Sequence, residues 1–131
     1  MLITKLKQLA ALCACASLIG IMTPESASAK VDGDTIIFGA AVSFTGKYST
    51  AGKHTKNGYD LAVERINSKG GITVAGKKYK LAIKYYDDES TPARASALAE
   101  RLILQDEIKF MLGPYGSGLT KAVAPITEQY K

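Results

Sequence analysis

Beyond position 15 the sequence contains no cysteine. Its two cysteines, Cys13 and Cys15, sit close to the N-terminus, so the remainder has no thiol for a disulfide, a thiolate metal site or a cysteine nucleophile. Histidine is almost as scarce: His54 is the single imidazole, and any histidine base in this chain has to be that one. No internal repeat and no low-complexity tract interrupts the sequence. The formal net charge is +5, but apart from "GKKYKL" the lysines are dispersed rather than clustered. That distribution argues for a solvated surface rather than a nucleic-acid or membrane-binding face.

Charge is missing altogether from Leu9 to Met22, a run of 14 residues preceded by Lys5 and Lys7. The run is too short for a permanent bilayer span. A polar stretch, "TPESASA", follows and ends in Ala27-Ser28-Ala29, the small-x-small pattern of signal peptidase. Residues 1–29 are therefore predicted to be a secretory signal peptide, cut between Ala29 and Lys30, and the protein to be secreted through the inner membrane. The alternatives are a buried N-terminal helix and, from "LCAC", a lipoprotein site at Cys15. The second is disfavoured because the apolar run continues through "ASLIGIM". Without Lys5, Lys7 and Glu25, 15 basic and 11 acidic residues remain, a net +4 over 102 residues.

From Lys30 onward the pattern alternates. "TIIFGAAV", Thr35 to Val42, is a short β-branched run that predicts a buried strand. After a glycine-punctuated stretch, Tyr59, Ala62, Val63 and Ile66 fall at helical spacing, ended by Asn67 and Gly70-Gly71. "ITVAGKKYKLAIKYYDD" reads as two strands around a turn at Gly76, with Leu81, Ile83 and Tyr85 on one face. Thr91-Pro92 opens a second helix whose buried stripe is Ala95, Leu98, Ala99 and Leu102. Ile108 to Leu112 is a third strand, "PYGSG" a sharp turn, and "LTKAVAPITEQY" a third helix that Pro125 is expected to kink or shorten. The class is α/β, a parallel sheet with helices on both faces. The pattern stops where a fourth strand is due, so residues 30–131 are expected to be the first part of a longer lobe.

Ligands of such sheets bind beyond the carboxyl ends of the strands. Two turns lie there, Ser43 to Lys53 and Gly113 to Gly118. The first resembles a phosphate loop but fails its spacing: Gly46 and Gly52 enclose five residues, and Lys53 is followed by His54, which displaces the hydroxyl to Thr55. The second resembles a nucleophile elbow around Ser117, yet positions 115 and 119 are Tyr and Leu rather than glycine. What Gly116, Ser117 and Gly118 do offer is a helix start whose free amides suit a carboxylate, with Ser117 capping the helix or touching ligand. Tyr48 and Tyr115 stand on the two turns, placed to stack on a ligand or to fill space. Asp87, Asp88 and Glu89 alternate in direction and so do not converge on one metal ion; they are read as a solvated loop.

Four stretches, "IIFGAAVSFTGKYSTAG", "NGYDLAVERINSKGGI", "KLAIKYYDDESTP" and "IKFMLGPYGSGLTKAVAPI", together resemble the leucine/isoleucine/valine-type (type I) periplasmic substrate-binding proteins of ABC transporters. The likeness covers residues 33 to 131 in order. It implies two α/β lobes that close by a hinge on an amino acid or related small carboxylate or amide, and this chain would supply about three strands and three helices of the first lobe. It implies no enzyme activity, no cofactor and no metal, an inner-membrane permease as partner, and a monomer at full length. The family's carboxylate-binding serine falls on Ser117, and pocket-lining positions fall on Tyr115 and Gly116. Where branched-chain binders carry an aromatic in the first loop this sequence has Ala51, with Tyr48 three residues earlier. The rivals are a ligand-binding sensor of the same fold and an exported α/β hydrolase with Ser117 as nucleophile.

Overall fold

A computed structural model describes residues 29–130. The apolar run of the predicted signal segment, with Cys13 and Cys15, lies outside the described residues; Ala29 and Lys30 lie within them. In chain order the elements are β1 (Val31–Asp32), β2 (Thr35–Val42), α1 (Ser49–Ser68), β3 (Ile72–Val74), β4 (Lys77–Asp87), α2 (Pro92–Leu104), β5 (Met111–Leu112) and α3 (Ser117–Gln129). Among the described residues no helix is long and apolar enough to cross a membrane.

β2 is the centre of the sheet. β4 runs parallel along one edge, from Thr35↔Lys80 to Val42↔Asp87. On the other edge β1 pairs antiparallel with the start of β2, and β5 pairs parallel further on, at Gly39↔Met111 and Ala40↔Leu112. β3 folds back on β4 as an antiparallel hairpin around Gly76. The three strands that alternate with helices are parallel, as predicted, while β1 and β3 make the sheet mixed; the two-residue β1 carried no signal of its own.

Side chains alternate across a strand, so this register sorts them onto two faces. Phe38, Leu81, Ile83 and Leu112 face α1, where they and the α1 stripe line an apolar groove of about 160 Å³. Ile37, Gly39, Ala41 and Met111 belong to the face that carries α2 and α3. Gly39 is required there, because a Cβ on it would sit 2.9 Å from the Met111 sulfur and 3.2 Å from Leu102 and Ile108. This face is the better sealed. Ala95, Leu98, Ala99, Leu102, Leu119 and Val123 are buried, whereas Tyr59, Val63 and Ile66 of α1 are half-buried and Ala62 is exposed.

Three local predictions need correction. α1 begins at Ser49, inside the stretch read as a loop through Lys53. The helix packs there directly on the end of β2: a Cβ on Gly52 would lie 1.8 Å from the Ser43 carbonyl oxygen, so that glycine serves close packing rather than a turn. β5 is only Met111–Leu112, not the predicted Ile108–Leu112. Ile108 is buried, but its amide donates to Leu102 O at the end of α2 (2.9 Å), and the chain before it turns through Glu107 at φ 57°. Finally, α3 runs on through Pro125 to Gln129. Pro125 and Lys121, whose carbonyl a proline four residues on leaves without its amide, are both exposed residues of α3 rather than part of its buried face.

Candidate functional site

The site grows from the carboxyl ends of β2, β4 and β5. Residues Ser43 to Tyr48 form the first loop, and the turn between β4 and α2 holds it by side chains. The Asp87 carboxylate accepts from the amides of Phe44 (2.8 Å) and Thr45 (3.2 Å) and from the Thr45 hydroxyl (2.7 Å). Asp88, fully buried, accepts from the Ser43 hydroxyl at 2.6 Å and from the Ser90 amide at 2.8 Å. The Ser90 hydroxyl donates to Thr45 O (2.7 Å) and accepts from the Tyr48 amide (3.0 Å). Gly46, at φ 77°, passes so close to this turn that a Cβ would meet Glu89 O and Ser90 Oγ at 2.7 Å.

These contacts revise the reading of "YDDES" as a solvated loop. Only Glu89 is exposed, and it pairs with Arg94 at 3.0 Å. Asp87 and Asp88 are struts. Burial pushes the Asp87 carboxyl upward, but donors from Glu89, Thr45 and Phe44 outweigh it and hold the group below the usual carboxylate range. Among the described residues no cluster of three metal-ligating side chains occurs.

The second turn, Gly113 to Gly116, follows β5. Gly116 is the N-cap of α3, at φ 85°, and Ser117 is the first helical residue rather than the cap. The Thr120 amide and hydroxyl both donate to Gly116 O, at 3.1 and 3.0 Å. The amides of Ser117, Gly118 and Leu119 precede the first intrahelical bond and have no acceptor within the helix. Gly116, Ser117 and Gly118 are exposed, and a Cβ on Gly113, Gly116 or Gly118 would meet nothing within 4 Å. Gly46 of the first loop and Gly52 of α1 are crowded by the protein, and the glycines of the second turn face open space.

The fold brings the two turns together. The rings of Tyr48 and Tyr115 lie 5.8 Å apart at 59°, with the Lys47 ammonium 4.7 Å from the centre of the Tyr48 ring. Tyr48 also packs against the Ala95, Ala99, Leu119 and Val123 cluster, while Tyr115 is 43% exposed. Ala51 sits in the first turn of α1, half-buried, with its carbonyl accepting from the Thr55 hydroxyl at 3.1 Å; it is the Tyr48 ring that meets the second turn. His54 is exposed on α1, and no hydrogen bond joins it to Ser117 among the described residues. The arrangement offers an anion-favouring helix terminus beside an aromatic wall. Among the described residues Ser117 and His54 are not assembled as a nucleophile and its base.

Sequence reasoning missed Asp87, Asp88 and Ser90 as supports, and missed Tyr59, whose hydroxyl donates to Gly113 O at 2.9 Å. The only signal for the first three was two acids at a strand end followed by a hydroxyl.

A family model described as periplasmic binding protein matches residues 35–131. The chain is 34% identical over 91 residues to the Leu/Ile/Val-binding protein BraC3 of Rhizobium johnstonii, a match covering 70% of this chain and 23% of that protein. It is similar to the branched-chain amino acid transporter substrate binding protein LivJ from Streptococcus pneumoniae, solved in complex with isoleucine. There the identity is 29% and the TM-score 0.66, over 73% of this chain and 26% of that one. It is also similar to a solute binding protein of an ABC transporter from Rhodopseudomonas palustris BisB5, solved in complex with 3,4-dihydroxy benzoic acid. That match has 33% identity and a TM-score of 0.57, over 73% of this chain and 25% of the other. The chain spans about a quarter of the length of the curated relatives it matches.

Proposed function

The chain belongs to the periplasmic binding protein family, and from that premise we propose that it forms the beginning of the first lobe of an extracytoplasmic solute-binding protein serving an ABC importer. The protein captures a small carboxylate-bearing solute, an amino acid or a related compound, and hands it to an inner-membrane permease. Capture involves no chemistry on the solute and no cofactor. Export follows from the leader, cut between Ala29 and Lys30.

One observation carries this reading: the open start of α3 and the Tyr48–Tyr115 pair meet at the carboxyl ends of the parallel strands. The solute carboxylate is held by the free amides at Ser117 to Leu119 and by the Ser117 hydroxyl, where the helix dipole favours negative charge. The solute body lies against Tyr115 and Tyr48, with Gly116 and Gly118 allowing close approach. Isoleucine and 3,4-dihydroxybenzoate, the ligands of two similar structures, share only the carboxylate as a charged anchor. Closure by a second lobe is a population shift, because the solute touches both lobes only in the closed state.

Thermal shift of the full-length protein tests this. A rise in melting temperature with isoleucine, another amino acid or an aromatic acid supports it by mass action. No rise with any carboxylate, together with a rise on adding Mg-ATP, overturns it and returns attention to Gly46–Lys53.

A further inference from the structure

Gly113 follows β5, a strand of two residues whose partners are Gly39 and Ala40. The turn beyond it is open on its glycine side, since a Cβ on Gly113 or Gly116 would meet nothing within 4 Å. Packing at these two glycines therefore does little to fix the path of the turn, although Pro114 between them is half-buried against α3. From the α1 side of the site, the Tyr48 ring meets Tyr115 and the Tyr59 hydroxyl donates to Gly113 O. We propose that Tyr59 is a positioning residue for the solute site, its hydroxyl holding the Gly113 carbonyl and so setting where the turn delivers Tyr115 and Ser117; this rests on the carboxylate-binding reading above.

The carrier of this hydroxyl is stiff. Near the start of α1, Gly52 sits directly on the Ser43 carbonyl, and the loop before it is tied to Asp87, Asp88 and Ser90. Near its end, the Asn67 side chain takes both backbone groups of Leu81: its amide nitrogen donates to Leu81 O and its carbonyl oxygen accepts from Leu81 N, each at 2.8 Å. Between these anchors the Tyr59 ring lies in the apolar groove with Phe38, Ile83 and Leu112. The groove restricts the ring, and the hydroxyl is left at its rim to reach Gly113. Burial raises the phenol's pKa, so it stays a donor well above neutral pH. Gly113 is an exposed residue and its bond to Tyr59 an exposed one, so water can replace the phenol when it is removed. Loss of the hydroxyl should therefore loosen the turn without unfolding the lobe.

The test is Tyr59→Phe in the full-length protein, compared with wild type and with Tyr59→Leu. The readouts are amide hydrogen exchange, melting temperature without ligand, and affinity for isoleucine and for 3,4-dihydroxybenzoate. The expected result for Tyr59→Phe is faster exchange confined to residues 114–119, an affinity about fivefold weaker for the solute that binds, and an unchanged melting temperature. Wild-type exchange and affinity in Tyr59→Phe, with defects only in Tyr59→Leu, would overturn the role and leave Tyr59 as groove packing. A lowered melting temperature with exchange raised throughout the lobe also overturns it. Binding of neither probe, nor of any other amino acid or aromatic acid, by wild type overturns the carboxylate reading and the Tyr59 role with it, whereas wild-type binding with an unmoved Tyr59→Phe overturns the role alone.

Discussion

Asp87 grips Thr45 twice, at its backbone amide (3.2 Å) and at its hydroxyl (2.7 Å), and thereby fixes a loop 42 residues earlier in the chain to the end of β4. The grip depends on charge. The folded-state pKa of Asp87 lies below the reference value of 3.8, so its contribution to stability is fully present above that reference value. It is lost as pH falls through the lower folded value. Asp87→Asn should cost about 1–2 kcal/mol at pH 7. The gap from wild type should narrow over the acid range below that reference value. Urea unfolding of both proteins across that range measures it, and a gap independent of pH would contradict the assignment.

Two glycines on one helix should respond in opposite ways to the same substitution. A Cβ on Gly52 would lie 1.8 Å from Ser43 O, a backbone atom that moves only if α1 lifts off β2. Gly52→Ala should lower stability by roughly 3 kcal/mol or more. A Cβ on Gly58 would meet nothing within 4 Å, and Gly58→Ala should raise stability by about 0.5–1 kcal/mol. Thermal melts of the two variants decide the point.

Ser117 is exposed at the start of α3 and is not its cap. Ser117→Ala should leave the melting temperature without ligand within the small range of surface substitutions, about 0.5 kcal/mol. Solute affinity should drop roughly tenfold, as expected for one hydrogen bond to a charged group. Calorimetric titration of the full-length protein reads this directly. Loss of an esterase turnover instead of affinity would favour the hydrolase.

The Tyr48–Tyr115 contact should be energetically real as well as geometric. A double-mutant cycle with Tyr48→Ala and Tyr115→Ala should give a coupling of about 0.5–1.5 kcal/mol in unfolding free energy. Tyr48→Ala alone should be the more damaging single change, because Tyr48 also covers the Ala95–Val123 cluster. Additive effects would mean that the rings merely lie near each other.

Periodicity made much of the fold legible. The bounds of β2 match the apolar run Thr35–Val42, and Ala95, Leu98, Ala99 and Leu102 form one buried face of α2 as their spacing predicts. What escaped depends on partners distant in sequence. Nothing near Gly52 distinguishes a turn glycine from a helical one pressed on Ser43. Nothing near Asp88 announces that a serine 45 residues earlier will enclose it. Ile108 has the composition of a strand residue, yet it is buried by its place after α2. At the site, turn chemistry identified the exposed start of α3 and the two tyrosine positions; the meeting of their rings required the sheet order.

The Asp87–Ser90 turn has a thermodynamic consequence for capture. It immobilises the first loop before any solute arrives, so the ordering entropy of residues 43–48 is met when the lobe folds rather than when ligand binds. Under the proposed function, encounter with this lobe would be docking onto a preorganised surface, and a larger share of the contact energy would appear as affinity. In the proposed capture, the conformational cost that remains at binding falls on the proposed hinge closure and on the open turn at Pro114–Gly116. Solutes that fit the static wall equally well would then be told apart by how well they settle that turn.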